Sequence, residues 1–375
     1  MGPLHGIRIV EIAGIGPTQM CGMLLADMGA QIIRLRRPAA ADPGVDVPDR
    51  FNLMNRSRPT IDVDLKSDEG REAVLRLCEK ADALFEGFRP GVMERLGLGP
   101  DECMARNERL VYGRMTGWGQ DGPLADRAGH DTNYIAIAGA LHGIGHADRP
   151  PPLPLNLIGD FGGGALYLAL GLLAALLEAG RSNRGQVVDA AMVDGTASML
   201  TLFYGLMAGG LWTERRESNL LDGGAPFARC YATRDNRFIA VCALETEFFA
   251  TLLEALSIDA IDPADQFDTD TWHAQVEILA TVFRGKTRDE WNEILGKVDA
   301  CATPVLTPGE AATHEHGSAR GTYVDIGGIR QPAPAPRFSR TASEASAAPS
   351  DPIDAARSIM IQWGFGEDEI RQLLY

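Results

Sequence analysis

"GIRIVEIAGIGPTQMCGMLLADMGAQIIRL", residues 6–35, decides the fold. "IRIVEI" (7–12) is a β-rich run, "AGIGP" a turn, "TQMCGMLLADMG" (18–29) an apolar helix and "QIIRL" (31–35) a second strand. Strand, helix and strand in so short a stretch make a β-α-β unit. Such units build parallel sheets with right-handed crossovers.

The pattern continues outward. "TIDVDL" (60–65) alternates as a half-exposed strand. Ser67 and Asp68 can cap a helix over 69–81, where Val74, Leu77, Cys78 and Ala81 share one face. "ALFEGF" (83–88) and "LVYGRM" (110–115) are further strands, and residues 161–212 read as mainly helical, broken at "EAGRSNRGQ". From about 225 the texture changes. "FARCYATRDNRFIAVCAL" (227–244) predicts two strands around a turn at Asp235–Asn236, with helices near 246–256, 272–284 and 287–296. "PAPAPRFSRT" (332–341) is an extended connector, and "GEDEIRQLLY" (366–375) a short helix with acids in its first turn. The expected class is α/β: a Rossmann-like large domain with a parallel sheet, plus a smaller α+β domain.

The chain has 375 residues, more than one ordinary core requires. Its net charge of −16 argues against nucleic acid or an anionic membrane as the main partner, while leaving room for a local basic site. Six cysteines are scattered with no CxxC pair, which predicts reduced, buried thiols and no zinc site. No metal ligation is expected of the histidines. "MGPLHG" lacks the features of a secretory signal. "ALYLALGLLAALLEA" (165–179) is too short to span a membrane, and "GTASMLTLFYGLMAGGLW" (195–212) reads as a buried helix. A soluble, cytoplasmic protein with no membrane partner is expected.

In open α/β sheets, ligands bind beyond the carboxyl ends of the strands. Arg36-Arg37-Pro38 follows "QIIRL"; Arg89-Pro90-Gly91 follows "ALFEGF", with Arg95 one turn on; Arg114 lies in "LVYGRM". Arginines thus gather where a phosphorylated ligand would lie. "GIGPTQ" (14–19) lacks the third glycine of the dinucleotide fingerprint, and the second strand ends in arginines instead of an acid. NAD is disfavoured; NADP or coenzyme A stays open. Asp160 in "NLIGDFGGGALYLALG" (156–171) is either a helix N-cap beside packing glycines or part of a loop a ligand approaches. His130 in "AGHDTNY" (128–134) is a core histidine or a base, and Glu245 in "CALETEFF" (242–249) is by itself a first-turn helix acid.

These stretches, with "NRSRPTIDVDLKSDEGREAV" (55–74), "LFEGFRPGVMERLGLGPDE" (84–102), "PLPLNLIGDFGGG" (152–164), "RGQVVDAAMVDG" (184–195) and "ATPVLTPGEA" (302–311), resemble the family III coenzyme A transferases, most closely their α-methylacyl-CoA racemase branch. The resemblance covers nearly the whole chain. It implies an interlocked homodimer. Residues 1–190 with 330–375 would form the large CoA-binding domain, 191–224 a helical linker, 225–310 the small domain and 311–329 a return linker. The active site would lie between one chain's large domain and the other's small domain, bringing Glu245 to His130 of the partner subunit.

The resemblance also implies the chemistry. Transferase members use the aspartate, here Asp160, as a nucleophile that forms an anhydride while CoA moves between carboxylic acids. Racemase members add the histidine of "GHD", here His130. The expected activity is therefore interconversion of (R)- and (S)-2-methylacyl-CoA thioesters by two-base proton transfer through an enolate, with CoA transfer as the alternative. By resemblance, His130 and Asp160 are the bases and Glu245 orients the histidine. The Asp131 N–H faces the thioester oxygen, and Arg37, Arg89 and Arg95 hold the CoA phosphates. No metal and no separate cofactor is implied, since CoA belongs to the substrate.

Overall fold

The alternation in β1 (Arg8–Ile12) sorts side chains onto two faces: Ile9 joins one apolar core, Val10 and Ile12 the other. β2 (Gln31–Arg36) repeats this, with Ile32 on the first face and Ile33 and Leu35 on the second. The period is that of a strand, and burial of both faces is what parallel sheets require. The computed structural model describes residues 2–38 and 47–374. β3 (Thr60–Asp62), β4 (Ala83–Glu86), β5 (Val111–Thr116) and β6 (Val187–Ala191) complete an all-parallel sheet in the order β3-β2-β1-β4-β5-β6. That is the doubly wound Rossmann order, which reverses direction between β1 and β4.

Helices α1 (Pro17–Asp27), α2 (Asp68–Lys80), α3 (Val92–Arg95), α4 (Pro100–Arg106), α5 (Asp131–Ile137), α6 (Leu166–Ser182) and α7 (Met192–Met199) belong to this unit. Ser67 caps α2 by accepting the Gly70 N–H at 2.9 Å. α1 and α6 cover the Ile9 face; α2 and α4 cover the Val10 face. The C-terminal helices Pro352–Gln362 and Glu367–Leu374 add Met360, Trp363, Ile370 and Leu373 to that second core.

One feature of the sheet escapes pattern reading. Glu11, pointing with Ile9, is fully buried between Arg58 (Nε to Oε2, 2.7 Å) and Arg34 (Nε to Oε1, 3.2 Å). α1 can close over this cluster only because residue 22 is glycine, since a Cβ there would sit 2.4 Å from Glu11 Oε2.

Residues 139–153 and 200–314 form a second compact unit. Strands β7 (Ala228–Ala232), β8 (Phe238–Cys242) and β9 (Ala302–Pro304) make an antiparallel sheet, with the β7–β8 turn closed by Asn236 at φ +56°. Helices Thr246–Ala255, Trp272–Phe283 and Arg288–Leu295 share one core with it around Phe227, Phe249 and Phe283. His142 and His146, whose spacing also occurs in metal sites, are engaged otherwise. His142 Nε2 lies 2.6 Å from the Glu214 carbonyl and His146 Nδ1 2.8 Å from Glu217 Oε1.

Several expectations need correction. Residues 187–191, expected within a helical stretch, are the sixth strand, at the sheet edge, with Val187 exposed and Val188 half-buried against the core. The stretch 195–212 is not one buried helix: it breaks at Leu200, and the helix Thr201–Ala208 has no buried residue. The run at 165–179 belongs to a continuous helical segment, Leu157–Ser182, long and apolar enough to cross a membrane, although Leu168, Leu172 and Ala175 pack on the sheet. Of the cysteines, only Cys21, Cys78 and Cys103 are buried; Cys230, Cys242 and Cys301 are exposed.

Candidate active site

A cleft of about 280 Å³ opens beyond the carboxyl ends of β1, β4 and β5. This is the side and the reversal point where doubly wound sheets take ligands. Thr18, Arg89, Trp118, His130, Tyr134 and Asp160 are among its lining residues. His130 and Asp160, separated by thirty positions, therefore share one small space.

His130 comes first because its loop is folded onto an anchor. The chain reaches α5 in extended conformation (His130 φ −136°, ψ 175°), and the His130 N–H donates to Asn133 Oδ1 at 3.0 Å. Tyr134, buried one turn later, donates its hydroxyl to the Gly129 carbonyl and meets Trp118 edge-on at 4.7 Å. Gly117 and Gly129 are needed for this, because a Cβ at either would lie 2.1 or 2.7 Å from the Tyr134 ring. The imidazole itself is exposed at the cleft wall.

Asp160 is not a helix N-cap. It sits inside a π-helix, Leu157–Ala165, where the Leu166 N–H donates to the Phe161 carbonyl five positions back. Such turns are rare and concentrate at functional sites. The glycines after Asp160 serve packing. A Cβ on Gly163 would meet Thr196 Oγ1 at 2.6 Å, and one on Gly164 would meet Pro17 Cβ at 3.1 Å, so α7 and α1 press directly on the turn. Asn156 Nδ2 donates to Asp160 Oδ2 at 3.1 Å, and the Asp160 N–H donates to Asp131 Oδ2 at 2.7 Å. Burial pushes the Asp160 carboxyl above the ordinary range and the Asp131 charge adds to this, while the Asn156 hydrogen bond and His130 pull it down.

Asp131, expected to serve through its N–H, does lie at the first helical position, where an N–H has no intrahelical acceptor. Its side chain is buried, and the hydrogen bond to Asp160 was not legible in sequence. Thr18 Oγ1 and Trp118 Nε1 are buried with no hydrogen-bond partner among the described residues, which leaves polar capacity for a ligand in the cleft.

The arginine cluster divides. Arg37, Arg89 and Arg95 are exposed beyond β2 and β4, and Arg89 lines the cleft. Arg36 instead pairs with Asp62 (2.9 Å), and Arg114 is buried between Glu86 (3.4 Å) and Glu94 (2.8 Å). Glu86 also accepts the Phe88 N–H at 2.6 Å, fixing the turn that presents Arg89. Burial raises its carboxyl to about 7, against the opposing pull of that N–H and of Arg114. Glu245 belongs to the second unit, exposed ahead of the helix Thr246–Ala255, where its carbonyl accepts the Phe249 N–H at 3.0 Å.

The family model for CoA-transferase family III matches residues 4–353. The chain is 41% identical to the α-methylacyl-CoA racemase of Mus musculus and 40% identical to that of Homo sapiens, in each case over 99% of this chain and 96% of the relative. Among solved structures it is similar to a CAIB/BAIF family protein from Brucella suis, with a TM-score of 0.82 and 25% identity over 96% of this chain and 99% of that one. The chain belongs to CoA-transferase family III.

Proposed function

We propose that this protein is an α-methylacyl-CoA racemase, interconverting (R)- and (S)-2-methylacyl-CoA thioesters by proton removal on one face of the α-carbon and return on the other. The observation that carries the reading is an imidazole and a raised carboxyl lining one small cleft, in a chain about as close to two racemases as their 41% and 40% identities state. Two bases that must exchange roles need proton affinities closer together than the ordinary values of about 6.5 and about 3.9. Partial burial of Asp160 narrows that gap from the acid side.

In this mechanism His130 and Asp160 flank the α-carbon, and charge accumulates on the thioester oxygen as the proton leaves. The Asp131 N–H, at the start of α5, stabilises that oxygen. Arg37, Arg89 and Arg95 bind the CoA phosphates and so fix the acyl group between the bases. The proton transfers use side chains alone, so the mechanism calls for no metal or separate cofactor. The working form is a homodimer, in which Glu245 of one chain orients His130 of the partner subunit. Unpartnered apolar side chains support a second copy: Leu166, Leu170 and Leu177 on α6 are more than half exposed, as are Leu202 and Tyr204 in the other unit.

The test uses one enantiomer of a 2-methylacyl-CoA in deuterated buffer, with a free carboxylic acid present as acceptor. Deuterium gain with loss of chirality, reduced about 10²- to 10⁴-fold in His130→Ala, is expected. CoA transfer to the acceptor without exchange would instead make Asp160 a nucleophile and the protein a CoA transferase.

A further inference from the structure

Asp131 is only 5% exposed, and it follows His130 directly. Its Oδ2 takes the Asp160 N–H at 2.7 Å, a charge-assisted hydrogen bond. That approach depends on Gly159, where a Cβ would lie 2.7 Å from the same oxygen. The other oxygen, Oδ1, is buried with no hydrogen-bond partner among the described residues. A carboxylate so poorly satisfied is costly to bury. A neutral side chain would hold the same backbone N–H at less cost, so the charge calls for a reason.

We propose that the Asp131 carboxylate is a positioning residue for racemisation: it ties the α5 cap that carries His130 to the π turn that carries Asp160, and it sets a negative charge beside the Asp160 backbone. The inference rests on the racemase reading. The two bases stand on separate segments, and Asp131 joins them through one short bond. Its charge lies beside the Asp160 backbone and disfavours a second negative charge there.

The other charged and titratable groups around Asp160 are few. α5 and its cap present His130 and Tyr134, and Arg89 and Arg127 line the same cleft. α1 presents Pro17 and Thr18 at this end, and α7 presents Met192. Asp194, also on α7, is exposed, and its charge acts on Asp189. α6 enters from the turn through apolar residues. Asp131 is thus the acidic neighbour that raises Asp160, against Asn156 and His130.

The experiment follows α-deuterium exchange into one enantiomer of a 2-methylacyl-CoA, by the parent protein and two variants, from about pH 5 to about pH 9, with folding monitored by near-UV circular dichroism. Asp131→Asn retains an oxygen for the Asp160 N–H and removes the charge. Its acidic limb is expected to move to lower pH, by up to about one unit, with the fold intact. Asp131→Leu removes both, and exchange is expected to fall about a hundredfold. If Asp131→Leu does not fold, the Asp131→Asn profile decides alone. An acidic limb in Asp131→Asn that coincides with that of the parent, at any rate of exchange, overturns the proposal and leaves Asp131 a structural contact. Absence of exchange by the parent protein at every pH would sink the racemase reading instead, so the two failures are distinct.

Discussion

Gly16 turns the chain into α1 directly against the carboxylate of Asp160: a Cβ at residue 16 would lie 2.8 Å from Asp160 Oδ2. Its φ of +61° adds a second demand that glycine meets, since other residues enter this region at a cost of about 1 kcal/mol or more. Gly16→Ala is therefore expected to lower thermal stability modestly and to displace the Asp160 carboxyl. Displacement of a reacting group by an ångström costs on the order of 10² in rate. Deuterium exchange by Gly16→Ala within threefold of the parent would show that the carboxyl does not depend on this contact.

Arg89 is exposed, lines the cleft and follows a turn held by Glu86. If it carries a CoA phosphate, Arg89→Ala loses a charge-assisted hydrogen bond, and KM for the acyl-CoA should rise about tenfold or more, with kcat little changed. The rise should shrink as salt is added to both proteins, because salt screens the parent's advantage. A KM that stays put would remove Arg89 from the phosphate site.

Glu86 provides a prediction in pH. Its carboxyl is raised to about 7 in the folded chain, above the unfolded value, so folding favours the protonated form. The stability this contributes is complete below about pH 4 and is lost as pH rises through about 7. Glu86→Gln removes the titration while keeping an oxygen for the Phe88 N–H. Relative to the parent, the variant should gain stability from pH 5 to pH 8, by on the order of a few kcal/mol. Urea unfolding at both pH values measures this. A difference independent of pH would mean that Glu86 titrates normally.

Glu11 is the shared partner of two buried arginines. Glu11→Ala leaves both charges without it and should destabilise the large unit by about 3–5 kcal/mol. Glu11→Gln, which keeps the shape, should cost less. Equal losses in the two variants would indicate that packing, and not charge, is what the site needs.

How much of this was legible follows from what each residue type signals. β1, α1 and β2 were readable because dense apolar runs are bounded by turn residues and pack into the cores on the two faces of the sheet, although Glu11 and Arg34 interrupt the face that Ile9 and Ile32 share. β6 was hidden because an edge strand needs only one end buried, and Val187 and Val188 sit between two helices in sequence. Nothing in the sequence marks Glu11, Arg34 and Arg58 as buried, since burial of an ion cluster leaves no mark on composition. His130 and Asp160 were marked by motif, yet what shapes their surroundings was not. Asn156, Gly16 and the Asp131 side chain act through contacts that only the π turn creates. A glycine-rich stretch reads as a loop, and nothing in "GDFGGG" announces a helix wound five positions to the hydrogen bond.

That winding has a bearing on ancestry. A π turn is an α-helix into which extra chain has been admitted, and it is the less favoured of the two windings. Losing one glycine from Gly162–Gly164 would let the segment relax toward an ordinary α-helix. Every residue before the deletion would then swing about 100° around the axis relative to α6. Asp160 would leave the cleft in a single genetic step, while the sheet and its two cores stayed whole. The same step in reverse is a short route by which an inert helix could have acquired a carboxyl at the sheet's reversal point. Descendants of this fold that have lost the chemistry should therefore be sought by the length of this turn as much as by the identity of the aspartate.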